Sequence, residues 1–370
     1  MNALTALWGS AKEFARNIWG FFRFLWQWLP GGSHRTFNVG FGESIGLLLK
    51  GFGPDAAQLY NFETRNRDDY LSDYEIFCKA SLINTRYTST FNDKLILTGL
   101  MSAKVAMPRI LGYIRDGRLC PGPASGWSTV LKTAADTATF LKAVLMEEGT
   151  VILRPNLGHG RDRDKFVTWE GENGFRINNY IVPATKIHAE FNNLDEYILT
   201  SCPAQATYSS AIYPYCWNTI RILTMIDPVK NTAFPAGQFH RFGTKGSGLS
   251  DNLKHGGCLA YIAPHSGRIT ACITAQGRER AELTKHPDTG ADIVGTVVPN
   301  FEAVMWQILK LHQNFTYVSC LAWDILMQND GFYLLETNPN PDLKGIQAFE
   351  PILTRLPIRE YYHHHRVIKR

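Results

Sequence analysis

The stretch from Tyr317 to Pro339 constrains this chain more than any other. Two apolar runs flank Asn329-Asp330-Gly331, and Asp-Gly between such runs is a strong signal for a β-hairpin. The first run carries one carboxylate, Asp324. The second ends in Glu336 and Asn338, two residues apart and so on one face of a strand. Pairing about the Asp-Gly turn sets Asp324 beside Glu336 on the neighbouring strand. Three oxygen donors among apolar side chains suit a hard cation such as Mg²⁺, which takes one or two carboxylates plus water and substrate phosphates. A plain hairpin with its polar residues in water is the competing reading.

At 370 residues the chain exceeds a single core, and two or three subdomains are expected. Apolar content of 45% with 19% charged residues describes an ordinary folded protein. The net charge of +5 is mild and suits anionic substrates such as nucleotides or acidic sugars. No Lys/Arg block with interleaved aromatics occurs, which argues against a nucleic-acid partner. The cysteines at 78, 120, 202, 216, 258, 272 and 320 are odd in number and never spaced CxxC. They argue against a zinc site or a disulfide framework and favour a reducing compartment.

Residues 3–29 read as one amphipathic helix. Thr5, Gly9, Lys12, Arg16, Gly20, Arg23 and Gln27 make a polar stripe at helical spacing, opposite a face rich in Leu, Phe and Trp. Charges interrupt the apolar residues, so the segment is neither a signal peptide nor a membrane span. A basic stripe opposite tryptophans suits an interfacial membrane helix. Packing on the protein's own body or on a second subunit suits it equally. Pro30-Gly31-Gly32 ends it.

Further along, Asn92 or Asp93 caps a helix over Leu95–Met101, with Lys94 at its start. A helix over 128–148 and a strand over 150–153 lead into Arg154-Pro155 and the glycine-bearing loop Gly158-His159-Gly160-Arg161. Such a loop lets backbone N–H groups approach phosphate oxygens. Strands over 166–169, 175–182 and 196–200 enclose a helix over 184–192. Arg221 projects from a strand and needs an anionic partner, either a phosphate or a structural carboxylate. Arg241-Phe242-Gly243 precedes Leu249-Ser250-Asp251-Asn252 and Gly256-Gly257, a segment that also reads as a glycine-rich loop braced by Asx hydrogen bonds. Val304–Leu311 is an apolar-faced helix behind the hairpin. Asp342 and Lys344 follow the hairpin as candidates to line a substrate pocket, and Tyr361–Arg370 reads as a basic tail whose His363-His364-His365 either binds metal or is a solvated or flexible end.

Trp323-Asp324, Asp330-Gly331 and Leu335-Glu336-Thr337-Asn338-Pro339 resemble the metal-binding end of the ATP-grasp superfamily, and in particular its sugar-transfer-associated branch, related to alpha-L-glutamate ligases. Asn218-Thr219-Ile220-Arg221, the Arg-Phe-Gly to Gly-Gly segment, Tyr70-Leu71-Ser72-Asp73 and His286-Pro287-Asp288-Thr289-Gly290 are similar to that family's strings in the same order. The resemblance runs from about Gly51 to Pro351. It implies an α+β, ATP-grasp fold: two α+β subdomains clamping a nucleotide, after an N-terminal amphipathic helix. The implied divisions are 1–32 (helix), 33–90 (cap region), 91–202 (subdomain with the glycine loop), 203–355 (subdomain with the metal and substrate site) and 356–370 (tail). It assigns Lys94, Arg154, Gly158, His159, Gly160 and the backbone of Ile198, Leu199 and Ser201 to ATP. Asp324, Glu336 and Asn338 fall to Mg²⁺ (two ions), Arg221 and Arg241 to catalysis, and Asp251, Asn252 and Lys344 to substrate. Arg154 stands where the family has Lys, and no acidic residue for the ribose is evident.

Cations, a glycine loop and oxygen ligands together are equipment for holding a nucleoside triphosphate and neutralising charge during phosphoryl transfer. No Ser-His-Asp or Cys-His arrangement presents itself. The resemblance implies an ATP- and Mg²⁺-dependent carboxylate–amine ligase working through an acyl-phosphate. Its implied substrates are a small-molecule amine or amino acid and a carboxylate, on a cell-surface polysaccharide precursor or related metabolite. Its expected place is the cytoplasm, at the inner face of the membrane if residues 3–29 make peripheral contact there. A small-molecule kinase and a non-catalytic, membrane-docked binding protein of the same fold remain open.

Overall fold

The computed structural model describes residues 18–29, 36–123, 127–157, 164–276 and 279–369. Fourteen strands among them form two seven-stranded antiparallel sheets. Chain contacts divide the protein into two bodies. An inserted body comprises Ser89–Gln205 with Phe332–Glu336, and a host body comprises the remainder.

The inserted body's sheet contains β1 (Ile110–Arg115), β2 (Arg118–Pro121), β3 (Thr150–Pro155), β4 (Lys165–Trp169), β5 (Phe175–Ile177), β6 (Tyr180–Val182) and β7 (Tyr197–Ser201), in the order β2-β1-β7-β3-β4-β5-β6. Against it packs the helix Ala134–Glu148. Its buried Leu141 and Leu145, one turn apart, join Ile114, Val151, Leu153 and Leu199 in one core. Thr133 caps this helix, its hydroxyl accepting from the Asp136 N–H at 3.1 Å, and Gly149 at φ 71° ends it. The single strand expected over 175–182 is two strands in a hairpin. Asn178 takes φ 50°, which asparagine tolerates better than most residues, and Ile177 pairs with Tyr180. The segment Ala184–Phe191 is a 3₁₀ helix that buries Ile187 and Phe191.

The second sheet contains β8 (Ile220–Ile226), β9 (Ala233–Phe242), β10 (Cys258–Ile262), β11 (Ile269–Gln276), β12 (Glu279–Glu282), β13 (Cys320–Gln328) and β14 (Gly331–Asn338), in the order β12-β11-β10-β9-β8-β13-β14. β13 and β14 are the hairpin read from the Asp-Gly turn. The helix Phe301–Gln313 buries Val304, Ile308 and Leu311. Residues from the chain's start, including Phe37, Leu47, Tyr60 and Leu71, share a core with Leu223, Met225, Ile358 and Tyr362. The basic tail expected from Tyr361 onward is packed structure in which His364 is exposed. Helix Leu356–His364 buries Tyr361 and Tyr362, and Lys79 Nζ donates to the Val367 carbonyl at 2.7 Å. Burial of the adjacent Tyr361 and Tyr362 in the host core outweighs the basic residues that follow them.

Behind β13 lies a buried polar chain. Trp323 Nε1 donates to Thr224 Oγ1 at 2.8 Å, Thr224 Oγ1 meets His312 Nδ1 at 2.6 Å, and His312 Nε2 meets the Val318 carbonyl at 2.7 Å. A carbonyl only accepts, so Nε2 carries the hydrogen and a neutral ring accepts from Thr224 through Nδ1. Burial pushes the His312 pKa down to about 4, and burial does the same to His240, which is stacked on Phe242. An unfolded histidine takes up its proton near 6.5. Between that pH and about 4 the unfolded chain therefore binds more protons, and stability falls as the pH drops through this window. Each ring is expected to remove roughly 2 kcal/mol between pH 6.5 and 5. Urea midpoints across that range check this: His312→Gln should flatten the slope, and an unchanged slope would assign acid sensitivity to other groups.

Candidate functional site

In the inserted body, Asp93 caps the helix Lys94–Met101, its carboxylate accepting from the Ile96 N–H at 2.9 Å. Lys94 is thus the first helical residue, where a cation opposes the helix dipole, and its side chain is only 7% exposed. Asn156, just beyond β3, holds this turn in place by accepting from the Leu95 N–H at 3.0 Å. Arg154 lies on β3 opposite Ile198, with its side chain 3% exposed. Both cations converge on Glu336 Oε2, Lys94 Nζ at 3.6 Å and Arg154 Nη2 at 3.9 Å, and Arg154 Nε lies 3.5 Å from Asp164 Oδ2. Burial lowers the Lys94 pKa, Glu336 works in the opposite direction, and Arg154 adds to the lowering. A buried lysine at the positive end of a helix is poor structural design unless an anion is to be held there.

Gly158, His159 and Gly160 lie outside the described residues. Ile198 and Leu199 are mid-sheet, with ladder partners on β1 and β3. Their backbone groups are committed to those neighbours. Ser201 exchanges bonds with Arg109, donating its N–H to the Arg109 carbonyl and accepting the Arg109 N–H on Oγ at 2.9 Å.

In the host body, register places Arg221 of β8 directly opposite Asp324 of β13. Their side chains form a forked ion pair, Nε to Oδ1 and Nη2 to Oδ2, both at 2.7 Å. Arg241 of β9 donates through Nη2 to the same Asp324 Oδ2 at 2.7 Å and through Nε to Thr219 Oγ1 at 3.0 Å. Asp251 accepts the Thr219 N–H at 3.0 Å, and its Oδ2 stands 3.7 Å from Arg241 Nε. The anionic partner that Arg221 requires is therefore a carboxylate of the chain itself. Asn252 is exposed and accepts from the Lys254 N–H, so here it serves as a cap of its own loop. The segment from His286 braces that region, with His286 Nε2 2.7 Å from the Gly243 carbonyl. Asn338 accepts the Asn340 N–H at 2.9 Å.

Lys344 also lies in the host body, in a buried cluster. Its Nζ is 3.3 Å from Asp73 Oδ1, 3.9 Å from Asp55 Oδ2 and 3.1 Å from Gln27 Oε1. Burial works against its charge, but the carboxylates of Asp73, Asp342 and Asp55 more than offset that and raise its pKa. Burial raises the Asp55 pKa, with Lys344 opposing. Asp55, Asp73, Gln27, Asp164 and Thr219 were not read from the sequence as members of any site. For Asp73 a signal existed: Ser72 and Glu75 form a capping box at its helix start. The Tyr-Leu-Ser-Asp string thus has a structural duty, and Asp73 Oδ2 also accepts the Gly53 N–H at 2.6 Å. Among the described residues, no group of three or more His, Cys, Asp or Glu side chains is placed to hold a metal ion. The metal set read from the sequence has two carboxylates and an amide.

A family model described as sugar-transfer associated ATP-grasp matches residues 79–356. No curated protein matches the chain by sequence. Among solved structures, the chain is similar to the ATP-grasp ligase PsnB complexed with a minimal precursor, at 12% identity and TM-score 0.36, over 72% of this chain and 57% of that one. It is similar to an ADP complex of N5-carboxyaminoimidazole ribonucleotide synthetase at 10% identity and TM-score 0.36, over 71% and 51%. Against D-alanyl-alanine synthetase A from Vibrio cholerae O1 biovar eltor, the values are 11% and 0.38, over 79% and 66%. The chain thus spans less than two thirds of the length of each of these three.

Proposed function

The chain belongs to the sugar-transfer associated ATP-grasp family, matched over residues 79–356 of its 370, and on that premise we propose that it is an ATP- and Mg²⁺-dependent ligase that joins a carboxylate to an amine. The observation that carries this reading is a repeated pattern of charge. Glu336 stands with Lys94 and Arg154 in one body, and Asp324 stands with Arg221 and Arg241 in the other. Each candidate metal carboxylate is accompanied by two largely buried cations. With Asp164 and Asp251 included, each set balances internally, two acids against two bases. Such sets suit a ligand that is itself a paired anion and cation: phosphate oxygens engage the guanidinium and ammonium groups while Mg²⁺ takes carboxylate oxygens.

When bound, ATP supplies the phosphoryl group that activates the acceptor carboxylate, with Mg²⁺ neutralising its oxygens. Lys94 and Arg154 would hold phosphate oxygens. Asp324 in the host body and Glu336 in the inserted body, with the Asn338 amide, are the oxygen atoms that would be available to Mg²⁺. Arg221 and Arg241, oriented by Asp324 and Thr219, steady negative charge on the acceptor. Asp251 acts through Thr219 and Arg241 as a positioning residue. The proposed acceptor is a carboxylate of a cell-surface polysaccharide precursor or related metabolite, a reading that the family's description supports. Seven cysteines without a disulfide fit work in a reducing compartment.

ADP release from Mg²⁺-ATP, measured with pooled carboxylates in the presence and absence of pooled amino acids and polyamines, tests the proposal. ADP that appears only with both pools supports the ligase. ADP with one pool alone, together with a stable phosphorylated product, replaces it with a kinase. Absence of both turnover and Mg²⁺-ATP binding removes the reading.

A further inference from the structure

Helix 18–26 lies on the host body with Gly20 of its polar stripe turned inward, as is Gln27 just beyond it. Gly20, Phe24 and Gln27 face inward at helical spacing and are buried. Gly20 approaches so closely that a Cβ there would stand 2.5 Å from the Phe77 carbonyl oxygen. Phe24 meets Tyr74 edge to face at 6.1 Å. Gln27 is fully buried, donating to the Phe24 carbonyl and accepting from Lys344 Nζ. The outward face carries Trp19, Phe22 and Trp26, which are 67%, 60% and 55% exposed and fall at i, i+3 and i+7. An amphipathic helix serving only its own fold would present the opposite face to water.

Charge indicates what covers this face. The first fifty residues contain five Lys and Arg against two Glu, so three of the chain's five net positive charges fall here. From Phe14 to Leu29 there is no acidic residue, while Arg16 and Arg23 are present. Arg23 is exposed, its guanidinium over the Phe77 ring at 5.0 Å. Tryptophan carries a large apolar ring and one N–H donor, a combination favoured at the boundary between headgroups and acyl chains. We propose that this face docks on a membrane surface rich in anionic lipid, with Trp19, Phe22 and Trp26 entering the headgroup boundary and Arg23 beside the lipid phosphates. The helix lies in the plane of the surface. Among the described residues, no helix is long and apolar enough to cross a membrane.

Flotation of the full chain with extruded vesicles tests this, using equal parts phosphatidylglycerol and phosphatidylcholine against phosphatidylcholine alone. The protein should float with the anionic vesicles, and raised salt should weaken it. The combined Trp19→Ser, Phe22→Ser and Trp26→Ser variant should bind at least about tenfold less, with its melting midpoint unchanged. Arg23→Glu alone should also reduce flotation. The proposal fails if the parent chain does not float, or if the triple variant floats equally well. It fails too if light scattering shows a parent dimer that the triple variant converts to a monomer, because a second copy then covers the face.

Discussion

Asp324→Asn is expected to lower stability by about 3–5 kcal/mol, the effect of removing one partner from a buried charge network. Asp324 is 2% exposed and is the shared acceptor of Arg221 and Arg241, whose side chains are 15% and 9% exposed. Asparagine removes the negative charge and turns an N–H₂ donor towards guanidinium donors, so two cations stay buried without their counter-ion. The urea midpoint reads this directly. Adding Arg241→Met to Asp324→Asn should recover part of the loss, because it takes away one stranded charge. A single-variant loss below about 1 kcal/mol would mean that water reaches both guanidiniums and that Asp324 is no keystone of the fold.

Glu336→Gln is expected to leave the chain folded and to cut turnover roughly 10²–10³-fold, the usual range for removing one preorganised electrostatic group from an active site. A second consequence separates this substitution from a mere loss of packing. Burial lowers the Lys94 pKa and Glu336 opposes that, so without the carboxylate the lysine should surrender its proton at lower pH still. Mg²⁺-ATP affinity, followed by calorimetry against pH, should therefore begin to fall earlier on the alkaline side in the variant. Identical pH profiles in the two proteins would show that Lys94 does not hold phosphate under the influence of Glu336.

The hairpin was legible because its signals are local. An Asp-Gly turn, two flanking apolar runs and Glu336 two positions before Asn338 all fall within one short stretch. The need of Arg221 for an anion was legible too, but the choice between phosphate and carboxylate was not. Asp324 lies 103 residues away and becomes its neighbour only through the β8–β13 register. The polar stripe on the N-terminal helix could be read, yet helical periodicity does not say which face meets the body. Burying Gln27 requires Lys344, 317 residues downstream, and the close approach of Gly20 requires the helix that holds Phe77. The Lys344 cluster escaped notice for the same reason. Asp73 was legible only as part of a string similar to the family's and Asp55 not at all, until folding supplies a shared lysine.

A ribosome delivers this chain in an inconvenient order. The inserted body is almost contiguous and needs only Phe332–Glu336 from later in the sequence, so it can assemble soon after Gln205 emerges. The host body cannot. Asn84 waits for the carbonyls of Cys320 and Pro339, 236 and 255 residues onward, and β8 waits for β13. At ordinary elongation speeds that is roughly ten to fifty seconds during which Phe37, Leu47, Tyr60 and Leu71 lack the β-sheet that covers them. Nascent chains truncated anywhere between Gln205 and Cys320 should thus be sticky and protease-sensitive at their N-terminal end while already protected in their middle.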